Sequence, residues 1–431
     1  MPQPPSGGAG RAAFADLVAD DGSVVQRSVF SSPEVYRAEL DAIFARSWLY
    51  IGHESQVARP GQFITTSMGP DSIILARTAA GELRASLNQC THRGVQVCRA
   101  DRGEAEVFRC PNHGWSFGLD GSLVDRPFAD RGYDPNDRAS RNLLPARVST
   151  YRGLVFATFD HDAAPLIDHL GDIAYYLDLF LDRGAAGTEV LGGVHRWIVR
   201  CNWKILPENL AADLYHAPTA HISHSLVTGA ETASYLDEAW QIATGAGHST
   251  CVRFRAPEEQ VQQSLDPVLP DPAHRDALER YLERSSEEAA DRLGEVRANM
   301  HAFTGSVFPN FSFVPSLFSI RVARPIDATT TEISSWCLVP ADCPPEVKGA
   351  MGRISAMSLG PGGLVEQEDV LNFVEMTSAA QTVVDPRPFQ VGMGLDAEIR
   401  DLGIPGRATG PWTEHNMRSY WQQWKRQMGA S

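Results

Sequence analysis

The chain has 431 residues, of which 43% are hydrophobic and 21% charged, and its formal net charge at pH 7 is −15. This length suits two domains, one of them large, and the composition is that of ordinary globular proteins. The acidic balance argues against nucleic acid as a partner, because a phosphate backbone requires a basic surface. No run of about eighteen apolar residues occurs, so we expect no membrane span and no membrane partner.

The first ten residues are rich in Pro and Gly and lack the apolar stretch of a secretory signal peptide. We expect them to form an unstructured lead-in. The chain contains seven cysteines at irregular spacing. An odd, scattered set fits the reducing cytoplasm better than a disulfide framework, so we expect a cytoplasmic protein.

Hydrophobic periodicity and turn signals predict a mixed chain with a β-rich part early and a larger α+β part after it. In chain order, the patterns predict a helix over 33–49, short strands with Gly-rich turns from about 50 to 160, a helix over 165–182, a strand from Gly192 to Trp203, a helix from Pro207 to about His216, a charged surface helix over 270–300, strands over 303–323 and 332–339, a helix over 363–378, and an aromatic helix from Tyr420 to Met428.

The strongest motif consists of two Cys/His pairs, Cys90 and His92 with one residue between them, and Cys110 and His113 with two. Residues 93–109 lie between the pairs, seventeen in all, which is enough for a β-hairpin excursion that brings the pairs together. Two Cys and two His are also able to hold zinc, although zinc sites of this composition usually run Cys-Cys and then His-His. The alternating order favours a [2Fe–2S] cluster, in which each pair gives one ligand to each iron.

The stretches Asn88–Gly94 and Cys110–Trp115 resemble the Rieske domain of ring-hydroxylating oxygenases. The family commonly has an aromatic residue where this chain has Asn112, a departure that leaves the ligands unchanged. Respiratory Rieske proteins add two cysteines around the cluster, and their places are held here by Val95 and Asn112. The resemblance implies a [2Fe–2S] cluster bound by the two Cys and two His and argues against a respiratory subunit.

A second metal site is predicted around Asp213, His216 and His221. Asp213 and His216 are three residues apart, so a helix would place them on one face. His216 and His221 are five apart, and Pro218 is expected to end the helix near His216 and let both imidazoles aim at one point. Two His and a carboxylate form a facial triad that leaves positions open on iron(II) for dioxygen. A three-His site with His224, or a pair of hydrogen-bonded histidines without metal, stays open at this point.

This segment resembles the same family, whose pattern is Asn-Trp-Lys, then Glu-Asn, then Asp-x-x-His, then four residues and a His. The match runs from Asn202 to His221. The resemblance implies that His216 and His221 bind a mononuclear Fe(II) and that Asp213 is a bridging carboxylate. In the family, that carboxylate contacts a ligand His and a Rieske His of the adjacent subunit.

The third ligand is expected in the acidic cluster at 366–369. Glu366, Glu368 and Asp369 are all chemically able to bind iron. The family motif is Gly-Pro followed by a short run and two acids, of which the second binds the metal. Gly360-Pro361 and Glu368-Asp369 match it, which implies Asp369. The remaining acids are expected to form a solvated helix face.

The resemblance extends from about residue 27 to the C-terminal helix. It implies an α+β fold in which a small all-β Rieske [2Fe–2S] domain is inserted before a helix-grip catalytic domain, built of an antiparallel sheet plus helices. We expect an N-terminal segment over 1–49 that packs on the catalytic domain, the Rieske domain over 50–160 and the mononuclear iron domain over 161–431.

The function implied by the resemblance is that of a terminal oxygenase α subunit that uses O2 to cis-dihydroxylate an aromatic substrate. Because the chain has no flavin or nicotinamide fingerprint, electrons from NAD(P)H are expected through a ferredoxin, a ferredoxin reductase, or both. The family also implies a homotrimer of α subunits, in some members with β subunits. One alternative is a Rieske monooxygenase that hydroxylates or demethylates an aromatic compound. A second is a non-catalytic Rieske electron carrier, which leaves the second metal motif unexplained.

Five residues match substrate-binding positions in the family: Asn209, Leu210, Leu214, Ala217 and Leu359. The four apolar residues among them also suit a plain hydrophobic core. Where the family's aromatic-hydrocarbon enzymes often have Phe, this chain has Leu210 and Leu359, which predicts a wider cavity.

The charge pattern predicts a neutral aromatic substrate. The segments Leu210–His221 and Ser358–Val365 contain no Arg or Lys, and an unpaired buried carboxylate is very costly. Lys204, the nearest basic residue, is expected to serve structure. Arg321 or Arg324, on a predicted strand, remains able to bring a cation to the pocket.

Overall fold

The computed structural model describes residues 14–223, 226, 236–254 and 272–429. The predicted lead-in therefore lies outside the described residues. The chain forms two compact units, a smaller one of Phe44–Leu166 and a larger one of the residues before and after it. Among the described helices, none is both long and apolar enough to cross a membrane.

The secondary structure is dominated by antiparallel strands, with most of the helices in the larger unit. In chain order, the strands are β1 (Val24–Val25), β2 (Leu49–His53), β3 (Gln62–Met68), β4 (Asp71–Arg77), β5 (Leu83–Leu87), β6 (Arg102–Glu104), β7 (Val107–Arg109), β8 (Ser116–Gly118), β9 (Leu123–Asp125), β10 (Pro145–Tyr151), β11 (Leu154–Thr158), β12 (Thr188–Val199), β13 (Trp240–Gly245), β14 (His248–Phe254), β15 (Met300–Val307), β16 (Phe311–Val314), β17 (Ser319–Asp327), β18 (Thr330–Pro340), β19 (Phe389–Gln390) and β20 (Arg407–Thr409). The α-helices are α1 (Pro33–Glu39), α2 (Leu166–Leu170), α3 (Ile173–Leu181), α4 (Ile205–Asn209), α5 (Ala217–Ala220), α6 (Pro272–Leu293), α7 (Glu295–Ala298), α8 (Pro345–Leu359), α9 (Leu364–Ala379) and α10 (His415–Gly429).

The smaller unit is built from two antiparallel sheets. One has seven strands in the order β2-β11-β10-β5-β4-β3-β6, and the other has three in the order β7-β8-β9. Apolar side chains between them form a core that includes Phe63, Phe108 and Phe117, and the rings of Phe63 and Phe108 meet edge to face with centroids 5.1 Å apart. Strands β6 and β7 belong to different sheets, so the hairpin excursion predicted between the two Cys/His pairs is wrong.

The larger unit contains an eight-stranded antiparallel sheet in the order β12-β18-β17-β16-β15-β14-β13-β20. Its central strands are buried along their length, as in Phe311–Val314, because helices cover the sheet. Helices α6 and α8 pack together through Leu278, Met351 and Ile354. The predicted charged helix over 270–300 is therefore present, but one stripe of it is buried against α8.

Two predicted elements end differently in the structure. The helix predicted over 33–49 continues from α1 through a single π turn and stops at Phe44, and Leu49–His53 is a strand. The strand predicted from Gly192 begins earlier, at Thr188, and ends at Val199. Element ends are the least certain part of a prediction from periodicity, because several residue types fit on either side of a boundary.

The helix predicted from Pro207 to His216 is wrong, and this matters for the second metal site. Helix α4 ends at Asn209, and Ala212 has a φ of +79°, which a right-handed helix cannot contain. Pro218 does not end a helix, since it lies in the first turn of α5, where proline is tolerated. Asp213 and His216 therefore lie in an irregular turn and do not share a helix face.

A buried polar network joins the N-terminal helix, the Asn-Trp-Lys segment and the C-terminal helix. The Glu39 carboxylate accepts hydrogen bonds from Trp203 Nε1 at 2.9 Å, Lys204 Nζ at 2.6 Å and Trp424 Nε1 at 2.8 Å. The side chains of Glu39 and Lys204 are both fully buried. This confirms the structural role predicted for Lys204.

Replacing Lys204 with Met should strongly destabilise the larger unit, because it leaves the Glu39 carboxylate buried without a cation. Removing one partner of a buried pair costs about 3–5 kcal/mol. The free energy of unfolding can be followed by fluorescence, since Trp203, Trp421 and Trp424 are buried in this unit.

The matched control is Lys348→Met, which breaks a partly exposed pair with Glu189 at 2.6 Å. Exposed pairs contribute about 1 kcal/mol or less. Equal losses of stability in the two variants would show that the Glu39 network is not a principal source of stability.

Candidate metal centres

Two loops of the smaller unit, residues 90–95 and 110–115, have the same backbone hydrogen bonding. In each loop the Cys N–H donates to the carbonyl five residues later, at 2.9 and 2.8 Å. The N–H of Gly94 or Gly114 donates back to the Cys carbonyl, at 2.8 and 3.1 Å. Both glycines have a left-handed φ, +76° and +75°, which other residues adopt only with strain. The glycines explain why the two loops present their Cys and His side chains alike.

The four predicted ligands form an inner pair of thiols and an outer pair of imidazoles. Cys90 and Cys110 are each 3% exposed. The rings of His92 and His113 lie at the surface with centroids 4.6 Å apart. All four residues are described, and no three of them bring donor atoms within 4.8 Å of one another, as ligands of one zinc ion would. The arrangement fits a two-iron cluster with thiolates on one iron and imidazoles on the other.

Side chains around these loops hold them in place. The Asn88 side chain accepts from the backbone N–H groups of Val97 and Cys98, at 3.0 and 2.8 Å, and donates to the Cys98 carbonyl at 2.7 Å. The His92 ring stacks on Trp115 with centroids 4.9 Å apart. Asn88 was part of the recognised motif, but its bracing role depends on contacts that spacing does not reveal.

The second centre brings together His216, His221 and Asp369. The two Nε2 atoms are 3.1 Å apart, and each lies 3.4 Å from Asp369 Oδ1. Within the described residues, these three form a group whose donor atoms lie within 4.8 Å of one another. Ligands about 2.1 Å from one metal and at right angles are about 3 Å apart, so the triangle has the dimensions of one face of an octahedral site.

Two further observations show that this triangle suits a cation. Asp369 is 3% exposed, and its Oδ1 is buried without a hydrogen-bond donor. Burial alone would lower the pKa of His216, but the carboxylates of Asp213 and Asp369 outweigh it and raise that pKa to about 10. A buried carboxylate oxygen facing two imidazole nitrogens is costly unless a positive charge lies between them. The residues present therefore fit a mononuclear metal ion.

Hydrogen bonds on the far side of each imidazole orient the two rings. His216 Nδ1 donates to the Asp213 carbonyl at 2.5 Å, and His221 Nδ1 donates to Glu368 Oε2 at 2.9 Å. With a metal ion in the triangle, these bonds would keep the ring protons on Nδ1 and leave the Nε2 atoms to bind the ion. Ser223 also donates to Glu368.

The acids beside Asp369 are not a solvated helix face, so that prediction is wrong. Glu366 is fully buried and forms an ion pair with Arg321, which is also fully buried. Glu368 is partly buried and bonds His221 and Ser223. The sequence offered no signal for these contacts, because they join residues that are far apart along the chain.

The irregular turn that carries Asp213 and His216 is held by side chains from the sheet and from α10. Thr304 Oγ1 donates to the Leu210 carbonyl at 3.0 Å, and the Ala211 carbonyl accepts from Ser249 Oγ at 3.2 Å and from Asn416 Nδ2 at 2.8 Å. Carbonyls at a helix end lack partners within the helix and need donors from elsewhere. These donors compensate for the break at Ala212.

Comparison with known proteins supports the same assignment for both units. Residues 47–151 match the Rieske [2Fe-2S] domain family, and residues 171–430 match the catalytic domain of the ring hydroxylating alpha subunit. The chlorobenzene dioxygenase α subunit of Cupriavidus sp. strain PS12 is 34% identical over 94% of this chain and 90% of that protein. The chain belongs to the ring-hydroxylating oxygenase α-subunit family.

The solved structures agree with this family. Naphthalene 1,2-dioxygenase from Rhodococcus sp. bound to indole has a TM-score of 0.83 and 28% identity, covering 98% of each chain. A quaternary ammonium Rieske monooxygenase has a TM-score of 0.70 at 20% identity, covering 96% of this chain and 97% of its own, a likeness that shows the fold alone.

Membership in the family confirms several predictions. The α+β fold, with an all-β Rieske domain and a catalytic domain of antiparallel sheet and helices, is confirmed. The [2Fe–2S] cluster and the mononuclear iron are confirmed as well, and so is the enzyme class, a Rieske-type aromatic ring-hydroxylating dioxygenase. The use of O2 and of electrons from NAD(P)H is typical of this family. The catalytic domain excludes the simple electron carrier. The domain boundaries at 50 and 160 and the site residues stay predictions.

The residues predicted to bind substrate lie in different parts of the larger unit. Asn209 lines a cavity of about 620 Å³ together with Asp213, His216 and Asp369. Leu214 and Ala217 pack instead in an apolar cluster with Phe303, and Leu210 and Leu359 are buried. Their contact with substrate stays a prediction, and His224, the alternative third histidine, lies outside the described residues.

Asp369→Ala should remove the mononuclear iron and leave the cluster intact, because it takes away the anionic corner of the triangle. Iron should fall from about three to about two per chain, with acid-labile sulfide unchanged. Glu368→Ala should keep the iron but weaken its affinity by about 10–100-fold, since it removes only the hydrogen bond that orients the His221 ring through Nδ1.

Glu375→Ala is the matched control, because Glu375 lies on the same helix and is exposed. It should retain full iron. If the Glu368 variant lost the iron and the Asp369 variant kept it, the third ligand would be Glu368.

Proposed function

We propose that this enzyme cis-dihydroxylates a neutral aromatic ring beside an iron held by His216, His221 and Asp369. The observation that carries the proposal is the triangle of two Nε2 atoms and the donor-free Asp369 Oδ1, with sides of 3.1, 3.4 and 3.4 Å. The cluster ligands proposed with it are Cys90, His92, Cys110 and His113. The names of the relatives, chlorobenzene, benzene and biphenyl dioxygenases, support an aromatic hydrocarbon as substrate.

The protein residues orient the site rather than carry out the redox chemistry. A Rieske cluster supplies single electrons, and ferrous iron with open coordination positions activates dioxygen for attack on the ring. The Asp213 carbonyl and Glu368 hold both imidazoles in the tautomer that leaves Nε2 free. An iron held by His216, His221 and Asp369 alone would keep further coordination positions free for dioxygen. Asn209, with its amide nitrogen 3.4 Å from His216 Nε2, is the polar group we assign to the substrate side.

Charge near the iron supports a neutral substrate. Arg321 forms an ion pair with the buried Glu366, and Arg324 lies 3.4 Å from Glu332. Neither guanidinium is therefore available to pair with a substrate carboxylate. We assign Leu210, Leu214, Ala217 and Leu359 to the apolar surroundings of the ring. Each buried methylene of a substrate then adds about 0.8 kcal/mol of transfer free energy.

Asp213 is proposed to bridge the iron site to the Rieske domain of a second copy. Its side chain is partly exposed, and its Oδ1 accepts from the His216 N–H at 3.3 Å. The partly exposed Asp213 and the exposed Glu375 line the 620 Å³ cavity, so that its surface is acidic. On the Rieske domain, the pKa of His92 is lowered mainly by burial, next by His113, and then by the positive charges of Arg93 and Arg141. Both arginines are exposed.

This charge complementarity supports head-to-tail contact between α subunits. A head-to-tail contact that closes produces a ring, and we propose a homotrimer. The relatives are named as α subunits, which supports a β-type subunit in the assembly. Ferredoxin or a ferredoxin reductase is the proposed electron donor. None of the seven cysteines, each among the described residues, forms a disulfide, which supports a cytoplasmic location.

Asp213→Ala should keep both metal centres yet transfer electrons between them slowly. The substitution removes the carboxylate from the proposed electron path. The iron ligands and the hydrogen bond from His216 Nδ1 to the backbone carbonyl of residue 213 remain. Rapid-mixing absorption should show single-turnover oxidation of the cluster slowed by at least about tenfold, with normal iron content.

Asp213→Asn serves as the matched control, because it retains an acceptor for the His216 N–H but loses the charge. It should fall between the wild type and the Ala variant. Cluster oxidation at the wild-type rate in the Ala variant would remove Asp213 from the electron path.

Toluene should be turned over at least about tenfold more efficiently than benzoate, because a buried carboxylate near the iron would lack a cation. The measurements are kcat/KM and the ratio of product formed to dioxygen consumed. Better turnover of benzoate, lost in Arg324→Gln, would replace the neutral substrate with an anionic one.

A further inference from the structure

A second cavity of the larger unit has a composition unlike that of the iron site. It has a volume of about 100 Å³ and shares no lining residue with the cavity beside the iron ligands. Its described walls come from α3, α6, α8 and the strands β15 and β18. Most of them are apolar, including Leu282, Met300, Phe318 and Met351. No Asp or Glu occurs among the described residues that line it.

Arg183 places a guanidinium at this cavity without an acidic partner among the described residues. It donates a long hydrogen bond to Ser286 Oγ at 3.5 Å. Burial lowers the pKa of Arg183 to about 10, which is the direction expected for a cation that no nearby carboxylate neutralises. An arginine in apolar surroundings is costly unless its charge is compensated.

Neighbouring arginines of the same unit do have carboxylate partners. Arg292 binds Asp182, the residue directly before Arg183. Arg297 lies 3.3 Å from Asp178. The acids of α3 and the turn after it are therefore engaged with other cations, and Arg183 is left facing the cavity.

Hydroxyl groups complete the polar side of the cavity. Ser285 and Ser286 are buried on α6, and Tyr281 lies one turn earlier on the same helix. A planar guanidinium beside hydroxyl donors matches the oxygens of a carboxylate, while the opposite walls match an alkyl group. The pattern of one cation, several hydroxyls and apolar walls is that of a site for a small amphiphilic anion.

We propose that this cavity binds a small monocarboxylate of about two to four carbon atoms, with its oxygens on Arg183 and Ser286 and its alkyl part against Leu282 and Met300. The size follows from the volume, since a cavity of about 150 Å³ accommodates benzene and this one is smaller. The site does not depend on iron or on the dihydroxylation proposed above. Its ligand is distinct from the neutral aromatic substrate.

The test is equilibrium dialysis of the holoprotein against radiolabelled propionate, with 1-propanol as the neutral probe of similar size. Propionate should bind one per chain, and 1-propanol should bind at least about tenfold more weakly, because it lacks the charge that Arg183 compensates. Saturating toluene should leave propionate binding unchanged, which separates this site from the iron pocket. Equal binding of the two probes, or displacement of propionate by toluene, would overturn the proposal.

Variants then locate the binding. Arg183→Gln should weaken propionate binding about tenfold or more, and Arg183→Lys should retain part of the affinity, because the charge remains but the planar fork is lost. Arg353→Gln, an exposed position on the helix that also carries Met351, should bind as the wild type does. If Arg183→Gln does not fold, Ser286→Ala provides the second measure, with a several-fold loss expected. Wild-type affinity in Arg183→Lys and Ser286→Ala, or in a folded Arg183→Gln, would contradict the assignment.

Discussion

The buried ion pair between Arg321 and Glu366 is the constraint on which the iron site depends. Both side chains are fully buried, so neither charge is tolerable without the other. Arg321 belongs to the central strand β17, and Glu366 lies in the first turn of α9. The pair therefore fixes the helix to the sheet three residues before Asp369. With that helix fixed, Asp369 Oδ1 faces both imidazoles and Glu368 reaches the back of the His221 ring.

The other half of the site is positioned by the Glu39 network. Trp203 and Lys204 bind Glu39 immediately before α4, and Trp424 binds it from α10. The turn that follows α4 is unusual, but donors from the sheet and α10 satisfy its carbonyls. The unusual φ at Ala212 is thus a local cost that the surrounding contacts offset, as is common where a backbone is shaped for function.

Spacing in the sequence was sufficient to locate the candidate ligands, but not to explain how they are held. Asp213 and His216 were paired because a helix would place them on one face, yet they meet in a turn that Ala212 begins. The two residues are in contact, although the local structure that was expected to pair them is wrong. Glu366 and Glu368 were expected to be solvated, because the pattern of α9 does not show that Arg321 and His221 lie against them. Contacts between distant segments determine these roles, and one sequence contains no record of them.

The donor-free oxygen of Asp369 has a consequence for metal selectivity. Two imidazoles and one carboxylate with open positions provide a site that Zn²⁺ and Cu²⁺ bind more tightly than Fe²⁺ in the Irving–Williams order. Nothing in a triangle with sides of 3.1 and 3.4 Å excludes those ions by size. Correct metallation then depends on which metals the cell makes available during folding, and mismetallation would produce a folded protein with an intact cluster and no oxygenase activity.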